Sequence, residues 1–340
     1  MRIAMLGLGF MGGVHLRALR DVAGATLAAV FSNDERQLTG DLSATQGNLG
    51  RPGENYDFSA IKVYRELVDV LGDSGIDAVD ICLPTFLHEG VVVEALGAGK
   101  HVLVEKPMAL EGAGARRMIA AAERAGKILM CAQVLRFFPE YVALRAALPG
   151  LGAVRGAFFR RRCAAPAWGG WLKDPEKSGG GVFDLLIHDV DMCLHLFGKP
   201  EAVSAVGGCD AAAGLDTLYG QLFYPFGAVA VCGGWQHEGA FPFGMEYSVT
   251  MDGGTIEFSS AGRPPTLYTQ TAQALEMGGD GNAARDGYTA EIEYFVECCR
   301  LGRQPERCPP QESAVAVEVM RLLLEARQRD GRKILCSNLE

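Results

Sequence analysis

The feature that most constrains this chain stands at its start. The short run Arg2 to Leu6 has strand length and passes directly into Gly7-Leu8-Gly9-Phe10-Met11-Gly12, after which Val14 to Leu19 continues at helical spacing. A glycine-rich turn alone is common, but a strand before it and a helix after it give the context for dinucleotide binding. Gly7 permits the tight turn, Gly9 lets backbone approach a pyrophosphate, and Gly12 lets the helix pack close to the strand. The helix N-terminus then presents free N–H groups and the positive end of its dipole to phosphates.

The rest of the first half keeps this rhythm. Ala25 to Phe31, Ala78 to Leu83, His101 to Val104 and Ile128 to Cys131 are continuous apolar runs, as strands buried on both faces require. Between them Leu67 to Leu71, Glu89 to Leu96 and Ala113 to Ala125 read as helices. This alternation implies a doubly wound parallel sheet. Gly40 to Ser59 is polar and reads as a partly helical excursion or surface loop.

Beyond Gln133 to Pro139 the alternation stops. Ala153 to Phe159, Val203 to Val206, Thr217 to Tyr224, Ala228 to Trp235, Met245 to Met251 and Thr255 to Ser259 are short β-type runs, and Asp252-Gly253-Gly254 signals a hairpin. Helices are expected at Phe183 to Phe197, Glu291 to Arg300 and Glu312 to Arg329. The fold class is therefore α/β: a dinucleotide-binding Rossmann domain over 1–133, then an α+β domain over 134–340 built on a mainly antiparallel sheet.

Composition narrows the function. Apolar residues make up 49% of 340, and 32 basic residues face 41 acidic ones, for a net charge of −9. Such a chain is not disordered, and without a basic face it does not read as a nucleic-acid binder. No apolar stretch reaches the length of a membrane span. The ten cysteines lack a C-x-x-C pair and several sit in apolar runs, as small buried hydrophobes in a reducing compartment would. A soluble cytoplasmic protein is expected.

Three further patterns carry chemistry. At the end of the second strand, Ser32 stands where an NAD enzyme usually places an acid for the ribose hydroxyls, and Arg36 follows. This leans toward NADP; the alternative has Asp34, two residues on, holding the ribose of NAD. Glu105-Lys106-Pro107 places two charges at the carboxyl end of a buried strand, where ligands bind in doubly wound sheets. From periodicity alone, a surface lysine at a strand end is the stronger reading of Lys106. Lastly, Asp184, His188 and Asp191 share one helical face, among Leu185, Leu186, Ile187 and Val190. Asp184 beside His188 suits a general base near neutral pH. A hydrogen-bonded core histidine is the plainer alternative, and His188, Asp191 and His195 as metal ligands another.

GLGFMG at the start, CLPTFLHEGVVVEALGAGKHVLVEKPMAL in the middle and SGGGVFDLLIHDVDMCLHLFG later, in that order, resemble the Gfo/Idh/MocA oxidoreductases. The resemblance covers most of the chain. It implies an N-terminal Rossmann domain, a C-terminal domain with a large open sheet, NAD or NADP, and hydride transfer on sugars, polyols or their relatives. By position it implies Lys106, Asp184 and His188 as the catalytic set, and the IHDVDM wording is closest to inositol-dehydrogenase-like members. The expected cofactor contacts are Gly7, Gly9, Phe10, Met11, Gly12, Ser32, Asn33, Arg36, Leu83, Pro84, His88, Glu105 and Lys106. The expected substrate contacts are Lys106, Arg136, Trp171, Asp184 and His188, with Trp168, Lys173 and Asp174 in the same loop as Trp171. No metal is expected. Rival functions are an NAD-dependent glycoside hydrolase acting by transient oxidation and a non-enzymatic dinucleotide sensor. An open sheet face implies a homodimer or homotetramer.

Overall fold

The computed structural model describes residues 1–47, 53–210, 215–277, 286–337 and 339. The chain divides into two units, one of residues 1–134 with 286–314, the other of 135–285 with 315–340. This corrects the expectation of one continuous second domain over 134–340: the chain re-enters the first unit after the second sheet.

The first unit alternates β1 (Arg2–Leu6), α1 (Phe10–Leu19), β2 (Thr26–Phe31), α2 (Glu35–Leu38), β3 (Lys62–Tyr64), α3 (Leu67–Gly72), β4 (Ala78–Ile81), α4 (Thr85–Gly97), β5 (His101–Glu105), α5 (Gly112–Ala125) and β6 (Leu129–Ala132). Its six strands are parallel in the order β3-β2-β1-β4-β5-β6. The apolar runs occupy its interior: Ala78 to Ile81 and Val102 to Val104 are buried on both faces, against Val92, Leu96, Met118 and Leu129. β3 is short and half exposed, and its Lys62-Val63-Tyr64 carries no continuous apolar signal. Gly40 to Ser59 holds no helix among its described residues, and 48–52 lie outside them.

Strand order reverses between β1 and β4, and Gly7 stands at that point. Its amide donates to the Phe31 carbonyl and the Cys82 amide donates to the Leu6 carbonyl, at 2.9 and 2.8 Å. Gly7 has φ +96°, and a Cβ there would lie 2.7 Å from the Cys82 carbonyl oxygen. At Gly12 a Cβ would lie 2.1 Å from the Gly7 carbonyl oxygen. Both glycines are required by backbone approach. A Cβ at Gly9 would meet nothing within 4 Å, so the mouth of the turn is open.

The second unit comprises α6 (Pro139–Ala147), β7 (Val154–Ala164), α7 (Pro175–Ser178), α8 (Gly181–Phe197), β8 (Ala202–Val206), β9 (Cys209–Asp210), β10 (Leu215–Tyr224), β11 (Gly227–His237), β12 (Gly244–Met251), β13 (Gly254–Ser259), β14 (Arg263–Tyr268) and β15 (Ala272–Ala274). Next come α9 (Gly287–Leu301), in the first unit, then α10 (Pro310–Gln328), within which the division falls, and β16 (Ile334–Leu335), in the second. The second sheet is ordered β15-β14-β13-β12-β7-β11-β10-β8-β16, with β9 paired to β10. Its pairings are antiparallel except for β7 with β11. The strand alternation is clean on β10, where Leu218, Gly220 and Leu222 are buried and Tyr219 and Gln221 are exposed. One face of the sheet is therefore covered, and α8 packs on it against β7, β10 and β11. The Asp252-Gly253 turn joins β12 to β13 as the sequence signals.

The triple glycine before α8 has a steric cause. A Cβ at Gly181 would come within 2.3 Å of the Trp235 ring, and one at Gly180 within 2.8 Å of the Asp216 carboxylate. That carboxylate accepts the Val182 amide at 2.8 Å, capping α8 from a strand, and pairs with Arg327 at 2.6 Å. Gly181→Ala should therefore overpack the Trp235 contact and cost about 1–3 kcal/mol in denaturant unfolding. An unchanged denaturation midpoint would mean that the helix start yields without cost.

Candidate functional site

At the carboxyl edge of the first sheet, the residue types expected for a dinucleotide are in place. α1 begins at Phe10, with Gly9 as its N-cap and no side chain occupying its first-turn amides. An open cradle at Gly9 in front of a helix N-terminus fits a pyrophosphate. Ser32 is buried; its hydroxyl donates to Gln37 Oε1 at 2.6 Å and accepts the Asp34 amide at 3.1 Å. Asp34 caps α2 through the Arg36 amide. Asn33 and Arg36 are exposed, and Arg36 is paired with Asp41 at 2.7 Å and Ser43 at 3.0 Å. The Arg36 guanidinium and the Ser43 hydroxyl hold Asp41 below the usual carboxylate range.

Lys106 is half-buried directly after β5, and its bond to Pro107 is cis. Two residues expected as cofactor contacts are instead internal braces. His88 is 1% exposed, with Nδ1 at 2.9 Å from the Pro107 carbonyl and Nε2 at 2.8 Å from that of Leu83. Burial lowers its pKa, against the opposing pull of the two carbonyls. Glu105 is turned inward, where one oxygen accepts the Lys106 amide at 3.0 Å and the other meets His15 Nε2 at 2.9 Å. Phe10, Met11, Leu83 and Pro84 are half-exposed around the turn.

His15 was not singled out by the sequence reading. It is fully buried on α1, with Nδ1 at 2.9 Å from Asp80 of β4 and Nε2 facing Glu105 of β5. Burial alone would push the imidazole down, but Asp80 and Cys82 carry its pKa well above the ordinary value. Burial would likewise raise Glu105, yet His15 and Lys106 hold it below the usual range. Cys82, at the end of β4, and Tyr288, from α9 at a ring distance of 6.2 Å, complete the surroundings. The donor atoms of His15, Asp80 and Cys82 lie within 4.8 Å of one another, but both imidazole nitrogens already face carboxylates. The available signal was Asp80 itself, a charge inside the apolar run AVDIC, because a buried charge needs a partner.

In the second unit, Asp184 and His188 are the residues between Gly181 and Leu194 that are not buried. They stand one turn apart on one face of α8. Asp191, expected beside them, is locked inside: Arg136 grips it through Nε and Nη2 at 2.8 and 2.7 Å, with both side chains at most 1% exposed. This corrects the placement of Arg136 at the substrate, since its guanidinium is spent on α8. It also removes Asp191 from the His188, Asp191 and His195 metal alternative. Arg161 of β7 grips Asp189 in the same way, at 2.8 and 3.2 Å, and reaches the Tyr141 hydroxyl at 3.3 Å. Trp168 and Trp171 are half-buried in the loop before α7, Lys173 is exposed, and Asp174 serves as the N-cap of α7. Lys106 thus belongs to the first unit, and Arg136, Trp171, Asp184 and His188 to the second.

The His15 cluster gives a signed pH dependence. A folded pKa above the unfolded one stabilises fully below the unfolded value, about 6.5, and the contribution is lost as pH rises through the folded value. The stability difference between the native chain and His15→Gln should therefore be greatest below about pH 6.5 and shrink as pH rises above it. Denaturant titrations at each pH measure it, and a difference that grows with pH would mean a neutral His15.

Comparison with known proteins agrees with these features. Residues 1–133 match the family described as "Oxidoreductase family, NAD-binding Rossmann fold", and residues 149–257 match the "GFO/IDH/MocA C-terminal domain". The chain is 30% identical over 308 residues to D-xylose 1-dehydrogenase (NADP(+)) 2 of Haloferax volcanii, covering 87% of each chain. It is 26% identical over 323 residues to myo-inositol 2-dehydrogenase of Thermotoga maritima, covering 90% of each. The crystal structure of a probable dehydrogenase from Thermotoga maritima shares the fold over 100% of both chains, with a TM-score of 0.81 at 22% identity. With its glycine turn, its Glu105-Lys106-Pro107 strand end and its α8 pair in one sequence, the chain belongs to the Gfo/Idh/MocA family of oxidoreductases.

Proposed function

We propose that this protein is an NAD(P)-dependent dehydrogenase or reductase acting on a sugar, cyclitol or related polyol. The observation that carries the reading is the exposure pattern of α8: its middle buries Asp189 and Asp191 in arginine clamps, while Asp184 and His188 stay partly exposed. The names of the relatives, a xylose and a myo-inositol dehydrogenase, support the substrate class. A bound nicotinamide dinucleotide would supply the hydride acceptor or donor, held at the Gly7–Gly12 turn and the end of β2. In the oxidative direction His188 takes the proton from the substrate hydroxyl onto its imidazole, and the Asp184 carboxylate favours the protonated ring. The Lys106 ammonium suits donation of a hydrogen bond to a substrate oxygen on which negative charge develops. Trp171 lines the sugar.

NADP is the favoured cofactor, because Ser32 brings no charge against a 2′-phosphate and Arg36 lies close by in sequence. Asp41, which now pairs with Arg36, competes with that phosphate. Free thiols at all ten cysteines suit a reducing, cytoplasmic setting, and among the described residues no helix is long and apolar enough to cross a membrane. Exposed Val206 and Tyr219 on neighbouring strands β8 and β10 support a homo-oligomer joined through the open sheet face.

A panel of sugars and polyols with NAD and NADP, read by nucleotide absorbance, tests the reaction; glycoside cleavage without net reduced nucleotide would overturn it in favour of a hydrolase. Lys106→Ala should lower turnover by about a hundredfold or more, as for loss of one preorganised donor, while nucleotide affinity changes far less. Turnover within a few-fold of the native rate would remove Lys106 from the chemistry.

His188→Ala should cost about 10²–10⁴-fold and abolish the rising limb of the pH–rate profile for oxidation. Asp184→Asn should also be severe, and the double variant little worse than His188→Ala, because groups acting as a unit are not additive. A pH limb that survives in His188→Ala would place the base elsewhere.

Nucleotide fluorescence titrations should show tighter binding of NADPH than NADH, a reversed order in Ser32→Asp, and a stronger NADP preference in Asp41→Asn. Tighter NADH binding by the native chain would overturn the NADP preference and leave the fold untouched.

A further inference from the structure

The segment that carries Lys106 is held from beneath by two buried histidines. His88 braces the Pro107 carbonyl, as described above. The other brace is a chain of charge: Asp80 Oδ2 to His15 Nδ1 at 2.9 Å, His15 Nε2 to Glu105 Oε1 at 2.9 Å, and Glu105 Oε2 to the Lys106 amide at 3.0 Å. His15 has no exposed side-chain surface, and Asp80 and Glu105 have 2% and 7%. Every link lies in the first unit, and the links join α1, β4 and β5, the three elements whose ends form the carboxyl edge on this side of the sheet. Two carboxylates and an imidazole are a costly way to fill apolar space, since replacing such a cluster with hydrophobes of equal volume is often neutral or stabilising. What the cluster provides, and hydrophobes cannot, is a directed acceptor for the Lys106 N–H.

We propose that His15 is a positioning residue for Lys106: anchored on Asp80, it fixes the Glu105 carboxylate, and Glu105 fixes the backbone from which the lysine projects. Because α1 is the helix that starts at the glycine turn, the same imidazole ties that turn to the lysine. The proposal rests on the role given to Lys106 above, and the test separates the two.

The variants are His15→Gln, Glu105→Gln, Lys106→Ala and the double variant His15→Gln/Lys106→Ala. In the nucleotide-free protein, hydrogen exchange should accelerate at the Lys106 amide in His15→Gln, with the strands away from residues 105–107 keeping their protection. With the best substrate from the panel and saturating nucleotide, His15→Gln should lower kcat by about tenfold to a hundredfold, as a misplacement on the order of 1 Å does, with a far smaller change in nucleotide Kd. The double variant should match Lys106→Ala, because the histidine acts through the lysine. Should His15→Gln not fold, Glu105→Gln carries the test: it keeps the size and an acceptor for the Lys106 amide but loses the charge that His15 grips, and the same two losses are expected. Native exchange at Lys106 in a folded variant overturns the proposal, as do losses that multiply in the double variant. An active Lys106→Ala overturns the role of Lys106 and the proposal with it. A crippled Lys106→Ala beside fully active His15→Gln and Glu105→Gln overturns the positioning role alone.

Discussion

A charge inside a protein is tolerated only where an opposite charge meets it with good geometry, and this molecule is organised around three such encounters. His15 lies between Asp80 and Glu105 in the first unit, and Arg136 with Asp191 and Arg161 with Asp189 lie in the second. Each joins elements that hydrophobic contact alone would leave free to slide: a helix to two strands in the first, and α8 to a short turn and to β7 in the others. Hydrophobic packing sets which elements touch, and these pairs set the register at which they touch. Both chemically equipped segments, Lys106 after β5 and Asp184 with His188 on α8, sit within a residue or a turn of one.

The arginine clamps explain how one helix presents two kinds of polar residue. Along α8, Asp184, His188 and Asp191 follow one another on one face, with Asp191 buried and the other two partly exposed, while Asp189 lies buried on another side. Without Arg136 and Arg161 those two aspartates would each leave an uncompensated carboxylate in the core, a defect of about 3–5 kcal/mol. With them, the helix is fixed in rotation about its own axis, and the outward pair keeps a constant bearing. The aspartate cap from Asp216 and the clearance at Gly181 fix its position along that axis.

The parts legible in the sequence were those with short-range causes. A glycine that must avoid a carbonyl, an apolar run buried on both faces, and polar side chains four apart on a helix leave marks within a few residues. The parts that were not legible depend on partners far away in the chain. The resemblance implies Arg136 as a substrate contact, and nothing near it in sequence shows that Asp191, 55 residues on, claims it. Glu105, at a sheet edge, and His88, by the resemblance, are expected as cofactor contacts, and only the fold shows their side chains turned inward. The strands β3, β14 and β15, at or next to a sheet edge, escaped for a different reason: they are short and largely exposed, so they carry neither a continuous apolar run nor a clean alternation. Asp80 was legible in principle, as a charge in a buried strand without a visible counter-ion.

The return of the chain to the first unit has a consequence for how the molecule is made. α9 packs on α1, yet residues 135–285, the intervening 151, must leave the ribosome before it exists. At about 5–20 residues per second, synthesis leaves an interval of roughly 8–30 s during which the nucleotide-binding half is exposed without one of its own helices. Through that interval the flank of α1 that α9 will cover lacks its partner helix. The two halves are therefore not independent beads on a string: the first to be translated is completed only after nearly all of the second sheet has been translated.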